Sequence, residues 1–451
     1  MSTKGLRRVL IITYYWPPSG GAGVQRWLKF SKYLRDFGWE PVIYTPENPE
    51  APAVDHSLES DIPAGITVIK RPIIEPYMAY KSFVGMKKSD KVNAGFLKEK
   101  EKPGLAEDIA VWLRGNFFIP DARCFWIRPS ARFLVNYLDK NPVDAIVSTG
   151  PPHSMHLIAL KIHQKLQIPW LADFRDPWTG IDFYHQLKLT FLADRRHRML
   201  EKKVLSEATA VTVVSRDMIN EFKTLVNRDY TLVTNGYDEK DISPLSLDQL
   251  DEMFTISHIG SINASRNPSA LWRVLSKMAK TNRLFADKMR IKLVGKVDIE
   301  VLKDIEANGL TDNFVRIEYM PHREVMLEIQ KSQVLLLLIN NTPNAKGILT
   351  GKVFEYLGSG RPILSIGPED GDAAEILNET ASGKTADYNN EDKMRQVIEA
   401  YFSKYLERSL GSNKTSSMKY SRRALTSDIA DVLEGMLKLI LEHTQITSTS
   451  H

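Results

Sequence analysis

Thr350-Gly351-Lys352, followed by Glu355, is the arrangement in this chain whose residue types and spacing best suit chemistry. The turn opens a predicted helix that stops at Gly358 to Gly360, and Arg361-Pro362 then begins a buried strand. A helix N-terminus offers N–H groups without backbone partners and the positive end of the dipole, which together suit a phosphate. Lys352 adds a full positive charge there, and Glu355 lies about one helical turn further on. A carboxylate at that distance could accept hydrogen bonds from two ribose hydroxyls. The segment therefore has the parts to hold a nucleoside diphosphate at one end and its sugar at the other. The plainer alternatives are an ordinary first-turn lysine and a solvated helix carboxylate. The dipole disfavours a cation at Lys352 unless an anion is present.

Other candidates sit at predicted turns. Gly20-Gly21-Ala22-Gly23 follows an apolar run, but from Gly21 it reads G-A-G-V-Q-R, with Arg26 where a dinucleotide fingerprint has its third glycine. That makes NAD a poor fit and leaves a backbone turn able to approach a diphosphate. Thr149-Gly150-Pro151-Pro152-His153 follows one predicted strand, and Asp173-Phe174-Arg175-Asp176 ends the next. Open α/β sheets place ligands at such C-terminal strand ends. His153 or Asp176 could orient or deprotonate a hydroxyl. Equally, His153 could be a helix-cap neighbour without chemistry, and Asp176 a structural partner of Arg175. Trp16 and Trp178 could stack on a sugar face, or be core aromatics.

The elements that must position these residues alternate. Strands are predicted at 8–14, 41–45, 66–70, 145–148, 170–174 and 210–214, then at 254–259, 291–294, 315–319, 334–339 and 362–366. Helices lie between them, including 154–166 and 187–206. Continuous apolar strands separated by helices mean parallel sheets covered on both faces. At 451 residues with 43% hydrophobic content, about two or three domains are expected. The boundaries are placed at 1–235, with an insertion at about 75–128, a linker at 236–252, and a second domain at 253–415. A final helix at 416–443 carries Ile429, Val432, Leu433, Leu437, Ile440 and Leu441 at helical spacing, before a polar tail expected to be disordered.

Composition excludes several classes. The single cysteine, Cys124, rules out an internal disulfide framework and any multi-cysteine metal site. No stretch reaches the roughly 18 apolar residues of a membrane span. The apolar run 9–15 is read as a first strand rather than a signal peptide, because Trp16-Pro17-Pro18 replaces a small-residue cleavage site. A cytoplasmic protein is expected, with no nucleic-acid partner; the net charge of +5 is mild. Two segments are locally basic. Residues 81–102 hold seven lysines against three acids, and 188–203 hold six basic residues against Asp194 and Glu201. Each is either a solvated surface or an element that meets anionic lipid.

ITYYWPPSGGAGVQR, LADFRDPW, TNGYD, HIGSINASRNP and TGKVFEYLGSGRPIL, in that order along 9–366, resemble the group 1 (family 4) retaining glycosyltransferases of the GT-B type. The resemblance implies an α/β fold of two Rossmann-like domains with mainly parallel sheets facing across a cleft. It implies a nucleotide-sugar donor on the C-terminal domain, a glycan or lipid-linked acceptor on the N-terminal one, a last helix (416–443) that packs back on the N-terminal domain, and no metal or other cofactor. Glu355 matches the family's ribose-binding carboxylate. The position eight residues earlier, often Glu, is Gly347 here, and the usual Arg of the diphosphate pair is Ser261. Arg266 occupies the Lys position of that pair, with Lys352 as the candidate second cation. Breaking the sugar–nucleotide bond leaves new negative charge on the diphosphate, which cations and helix N-termini must stabilise where no metal does. Arg266, Lys352, Gly20, Gly21, Gly295 and Gly351 are assigned to this task, with His153 and Asp176 as catalytic candidates and Trp16, Arg175 and Trp178 on the acceptor side. A nucleotide-sugar 2-epimerase of the same fold, or a catalytically silent partner in a polysaccharide-assembly complex, are the alternatives.

Overall fold

The structure is a computed structural model that describes residues 5–448 apart from 52, 76–104, 182–183, 243–248, 319, 321 and 412–414. The basic segment 81–102 thus lies outside the described residues. The chain forms two compact units, 1–234 with 425–451, and 235–424.

The first unit contains β1 (Arg7–Ile12), β2 (Ser19–Gly20), β3 (Trp39–Pro46), β4 (Ala53–Val54), β5 (Thr67–Arg71), β6 (Ala145–Gly150), β7 (Trp170–Phe174), β8 (Ala210–Val213) and β9 (Thr231–Leu232). Its helices are α1 (Ala22–Tyr33), α2 (Leu105–Phe117), α3 (Cys124–Lys140), α4 (Ser154–Leu166), α5 (Phe191–Glu207) and α6 (Arg216–Leu225). Seven strands form one sheet in the order β5-β3-β1-β6-β7-β8-β9, and β2 pairs only with β4. Each pairing in the large sheet is parallel, as Val9 opposite Ala145 and Ile11 opposite Ile43 illustrate. Strand alternation divides the core between two faces. Leu10 and Ile12 pack with Trp126, Leu134 and Ile158, whereas Val9 and Ile11 pack with Trp27, Leu28 and Leu433.

The second unit contains β10 (Phe254–Ile259), β11 (Met289–Val294), β12 (Phe314–Ile317), β13 (Val334–Leu338), β14 (Ile363–Ile366) and β15 (Gly383–Ala386). Its helices are α7 (Ser269–Thr281), α8 (Arg283–Lys288), α9 (Ile299–Ala307), α10 (His322–Lys331), α11 (Gly351–Ser359), α12 (Asp372–Glu379) and α13 (Glu391–Leu406). The strands form a six-stranded sheet in the order β12-β11-β10-β13-β14-β15, again parallel throughout.

Several expectations need correction. The described part of 236–252 is not a free linker. It belongs to the second unit, where Tyr237 bridges to Ser421 and lies against Gly358. β15 had no separate signal, because Gly383–Ala386 is too short and polar to show a strand pattern. The insertion at 75–128 contains α2 and the start of α3. The last helix, α14 (Arg422–Ser448), runs past 443, so much of the tail read as disordered is helical. From Leu425 onward it belongs to the first unit, where Leu425, Ile429, Leu433 and Met436 are buried. No helix of the described residues is long and apolar enough to cross a membrane.

Candidate functional site

In the second unit the chain runs from β10 to β11 to β12 toward one edge and from β13 to β14 to β15 toward the other. The order therefore reverses between β10 and β13, the place where such sheets bind ligands. α11 starts there. Its cap residue Thr350 makes no side-chain capping bond, its buried hydroxyl has no partner among the described residues, and the first turn holds no acid. The Ile259 N–H donates to the Tyr356 hydroxyl at 3.0 Å, which ties α11 to the end of β10.

This tie brings Lys352 against the β10 turn. Its Nζ lies 3.5 Å from Nε2 of His258 and directly over the α-carbon of Gly260, where any side chain would collide with it. Gly260 has φ +126 and Gly295 φ +116, both in the region that favours glycine. The two turns also touch, because a Cβ at Gly295 would stand 3.1 Å from the Gly260 carbonyl carbon. Gly295 thus shapes the turn beneath the lysine. His258 is buried and its Nδ1 donates to the Leu336 carbonyl at 2.9 Å, so Nε2 presents its lone pair to Lys352. Burial, reinforced by Lys352, lowers His258 to about 3 and keeps it neutral.

Arg266 follows in a short 3-10 turn, Ala264–Arg266, and donates to the Asn340 side chain. With Asn267, Ser269, Leu338, Tyr388 and Asn389 it also lines a cavity of about 230 Å³. Burial first, and the Arg266 cation second, lower Lys352 to about 8, with Glu355 opposing. Two cations and an uncapped helix start converge here, and each makes the other costlier until an anion arrives. Glu355 is half-buried on the same helix. Ser261 is exposed, and Gly347 ends the 3-10 turn Ala345–Gly347, so neither position adds a charge. His258 and Gly260 went unassigned in the sequence; the available signal was a histidine and a glycine flanking the last residue of an apolar strand.

In the first unit the order reverses between β1 and β6, and the turns after β1, β6 and β7 bring the remaining candidates to one sheet edge. Here the structure corrects several roles. Gly20 is buried in β2 because a Cβ would press on Asp55 and Ala53, a packing reason rather than a ligand reason. Gly21, exposed with φ 95, caps the start of α1 and remains suited to an anion. Trp16 and Trp178 are each only 3% exposed, so neither offers a ring face to a sugar. Trp178 instead stacks on His153, with ring centres 4.9 Å apart. Arg175 acts as a brace between turns. Its guanidinium donates to the carbonyls of Gly23 at 2.9 Å, Gly150 at 3.3 Å and Pro151.

His153 is 7% exposed and its Nδ1 has no hydrogen-bond partner among the described residues. Burial, then neighbouring His156 and Arg175, hold its pKa well below the usual value. A histidine so disposed can orient a hydroxyl but takes a proton poorly. Asp176 is exposed at the same edge. Asp173 is wholly buried, bound by Arg26 at 2.8 Å, Trp27 Nε1 at 2.7 Å, and the hydroxyls of Thr149 and Thr212 at 2.9 Å. Arg26, which replaces the fingerprint glycine, thus locks α1 onto β7.

No protein-family model and no curated protein sequence matches the chain. Solved structures do. A glycosyltransferase from Rickettsia africae aligns with TM-score 0.60 and 13% identity over 96% of this chain and 99% of that one. HepE from Anabaena, in complex with UDP and glucose, aligns with TM-score 0.54 and 12% identity over 97% and 99%. WaaG, a glycosyltransferase involved in lipopolysaccharide biosynthesis, aligns with TM-score 0.52 and 12% identity over 95% and 100%. At these identities the likeness is one of fold: the chain has the two-domain, parallel-sheet α/β fold of the GT-B glycosyltransferases.

Proposed function

We propose that the protein is a retaining glycosyltransferase, a hexosyltransferase of group 1, that moves a sugar from a nucleotide-activated donor to a glycan or lipid-linked acceptor. The setting proposed is cell-surface polysaccharide or glycolipid synthesis, at the cytoplasmic face of a membrane. The observation that carries the reading is the convergence of Lys352, the Gly260 turn and the uncapped start of α11 at the reversal point of the second sheet. A diphosphate fits the two cations and the helix start, and Glu355 fits a ribose. Likeness of fold to a protein bound to UDP and glucose supports the same donor class. On cleavage, the bond between the sugar anomeric carbon and the phosphate oxygen breaks. The electron pair leaves with the nucleoside diphosphate, whose charge Lys352, Arg266 and the α11 N–H groups meet. The acceptor oxygen forms the new bond, and its proton passes to the departing diphosphate oxygen, which has just gained the electron pair. His153 is assigned to orienting that hydroxyl and Asp176 to accepting its hydrogen bond.

Incubation with a panel of nucleotide sugars tests the reading. Acceptor-dependent release of nucleotide is the expected result. An epimerised donor would replace the reading with a 2-epimerase, and no turnover with any donor would leave a silent partner. Because diphosphate charge is assigned to side chains, turnover should persist in excess EDTA. Loss of turnover on chelation, restored by magnesium or manganese, would overturn that assignment.

A further inference from the structure

Large apolar side chains on α2 and the first turn of α5 stand in water. Ile109, Trp112 and Leu113 are 37–42% exposed, and Phe117, Phe191 and Leu192 are 67, 76 and 74% exposed. They form one patch, because the C-terminal end of α2 is joined to the residues that open α5. Asn116 accepts from the Thr190 N–H at 2.7 Å and donates to the Lys188 carbonyl at 3.3 Å. Gly115 lies so close to Leu189 that a Cβ would stand 2.7 Å from its Cδ2. Phe117 and Phe191 each adjoin a member of the bonded Asn116–Thr190 pair. Trp112 and Phe117 meet edge to face at 5.7 Å. Scattered apolar residues on a surface are ordinary, whereas a joined set marks an interaction site.

Charge tells which partner fits. Arg195, Arg196 and Lys202 are exposed on the same helix as Phe191 and Leu192. The two acids that seemed to offset them do not do so at the surface. Glu201 is fully buried, accepting from Thr179 Oγ1 at 2.5 Å and from the Trp178 N–H at 3.0 Å. Asp194 is engaged by Arg198 at 2.9 Å and by the Tyr184 hydroxyl at 2.9 Å. The result is an apolar cluster bordered by cations. A bilayer with anionic headgroups complements both halves, since acyl chains take the aromatic groups while headgroups meet the cations.

We propose that α2 and α5 form a membrane-docking surface. Trp112, Phe117, Phe191 and Leu192 enter the acyl boundary of an anionic bilayer, and Arg195, Arg196 and Lys202 stay among its headgroups. The inference deepens the membrane-surface part of the function proposed above and rests on no step of the sugar chemistry. Mere electrostatic adsorption would be abolished by salt; insertion adds a salt-resistant share.

Full-length protein is mixed with vesicles of phosphatidylcholine with and without phosphatidylglycerol, at low and high salt, and sedimented. Phe117→Ser/Phe191→Ser/Leu192→Ser should lower partitioning roughly tenfold or more while leaving thermal melting unchanged, since the side chains are exposed. Arg195→Gln/Arg196→Gln should remove mainly the salt-sensitive share. Bromine-labelled acyl chains should quench tryptophan fluorescence in the parent and much less in Trp112→Phe. Equal partitioning of parent and triple variant, or binding wholly lost in salt without quenching, would overturn the proposal. A dimer that the triple variant dissociates, with no vesicle binding, would assign the patch to a second copy and also overturn it. Transfer to a soluble acceptor separates the two readings: the triple variant keeps it. Insertion without transfer from any donor would leave the docking surface standing and remove the glycosyltransferase.

Discussion

Lys352 carries the most chemistry for a single residue, because its surroundings tune its charge. Burial and Arg266 bring its pKa down to about 8. Below that pH the ammonium form dominates; above it the neutral amine does. A diphosphate binds the charged form better, so affinity for a nucleoside diphosphate should fall as pH rises through about 8. Calorimetric titration at a series of pH values should show that fall in the parent and a flattened profile in Lys352→Gln. A slope unchanged by the substitution would move the titration to another group. Glu355→Ala should weaken nucleotide binding with the fold intact. A hydrogen bond to a charged group contributes about 1.5–3 kcal/mol, so the loss should be about tenfold or more. Unchanged affinity would remove the ribose assignment.

Among the elements, α1 depends on one buried ion pair for its place on the first sheet. Asp173 accepts from Arg26, Trp27, Thr149 and Thr212, while Arg26 also donates to the carbonyls of Thr234 at 2.7 Å and Val233 at 2.8 Å. Asp173→Ala leaves a buried guanidinium without its counter-charge, a change that typically costs about 3–5 kcal/mol. Urea unfolding should show a loss of that size in the first unit, and a loss near zero would mean that water or a neighbour replaces the carboxylate. The sign with pH also follows. Burial alone would raise the Asp173 pKa, but the Arg26 charge and the donors around it override that and lower it to about 2. The pair's contribution is therefore complete above the unfolded value of about 3.9 and is lost as pH falls toward about 2. The alternation of strands and helices was legible at this scale, as were most strand cores, because each element's apolar period is local. That Asp173 is the buried anchor of that strand end was not legible, because its type and place in the chain do not show that four donors surround it.

Taken as a whole, the molecule depends on its C-terminal helix to finish the first unit. Leu425, Ile429, Ala430, Leu433 and Met436 are buried with Val9, Trp27 and Leu34. Losing one large buried apolar side chain costs about 2–5 kcal/mol, against total stabilities of about 5–15 kcal/mol. Truncation after Ala424 should therefore leave the first unit unfolded or protease-sensitive, whereas limited proteolysis that returns an intact first unit would contradict the packing. The apolar stripe of that helix was visible in the sequence, and the family resemblance implied that it packs back on the N-terminal domain; which face of the sheet it covers was not visible. By itself the sequence determined the alternating α/β order, the parallel sheets, the open helix start at Thr350-Gly351-Lys352 and the place of Glu355 one turn beyond it. Each depends on residues within a few positions of one another, and local spacing encodes that much. Tertiary structure decided which chemically able residues face solvent and which are fastened in the core. It buried Trp16 and Trp178, turned Arg175 to backbone carbonyls and set His258 beside Lys352, a residue 94 positions away. That last contact exists because β10 lies next to β13 and α11 packs over the end of β10, and such neighbours are chosen by the packing of whole elements rather than by any local pattern.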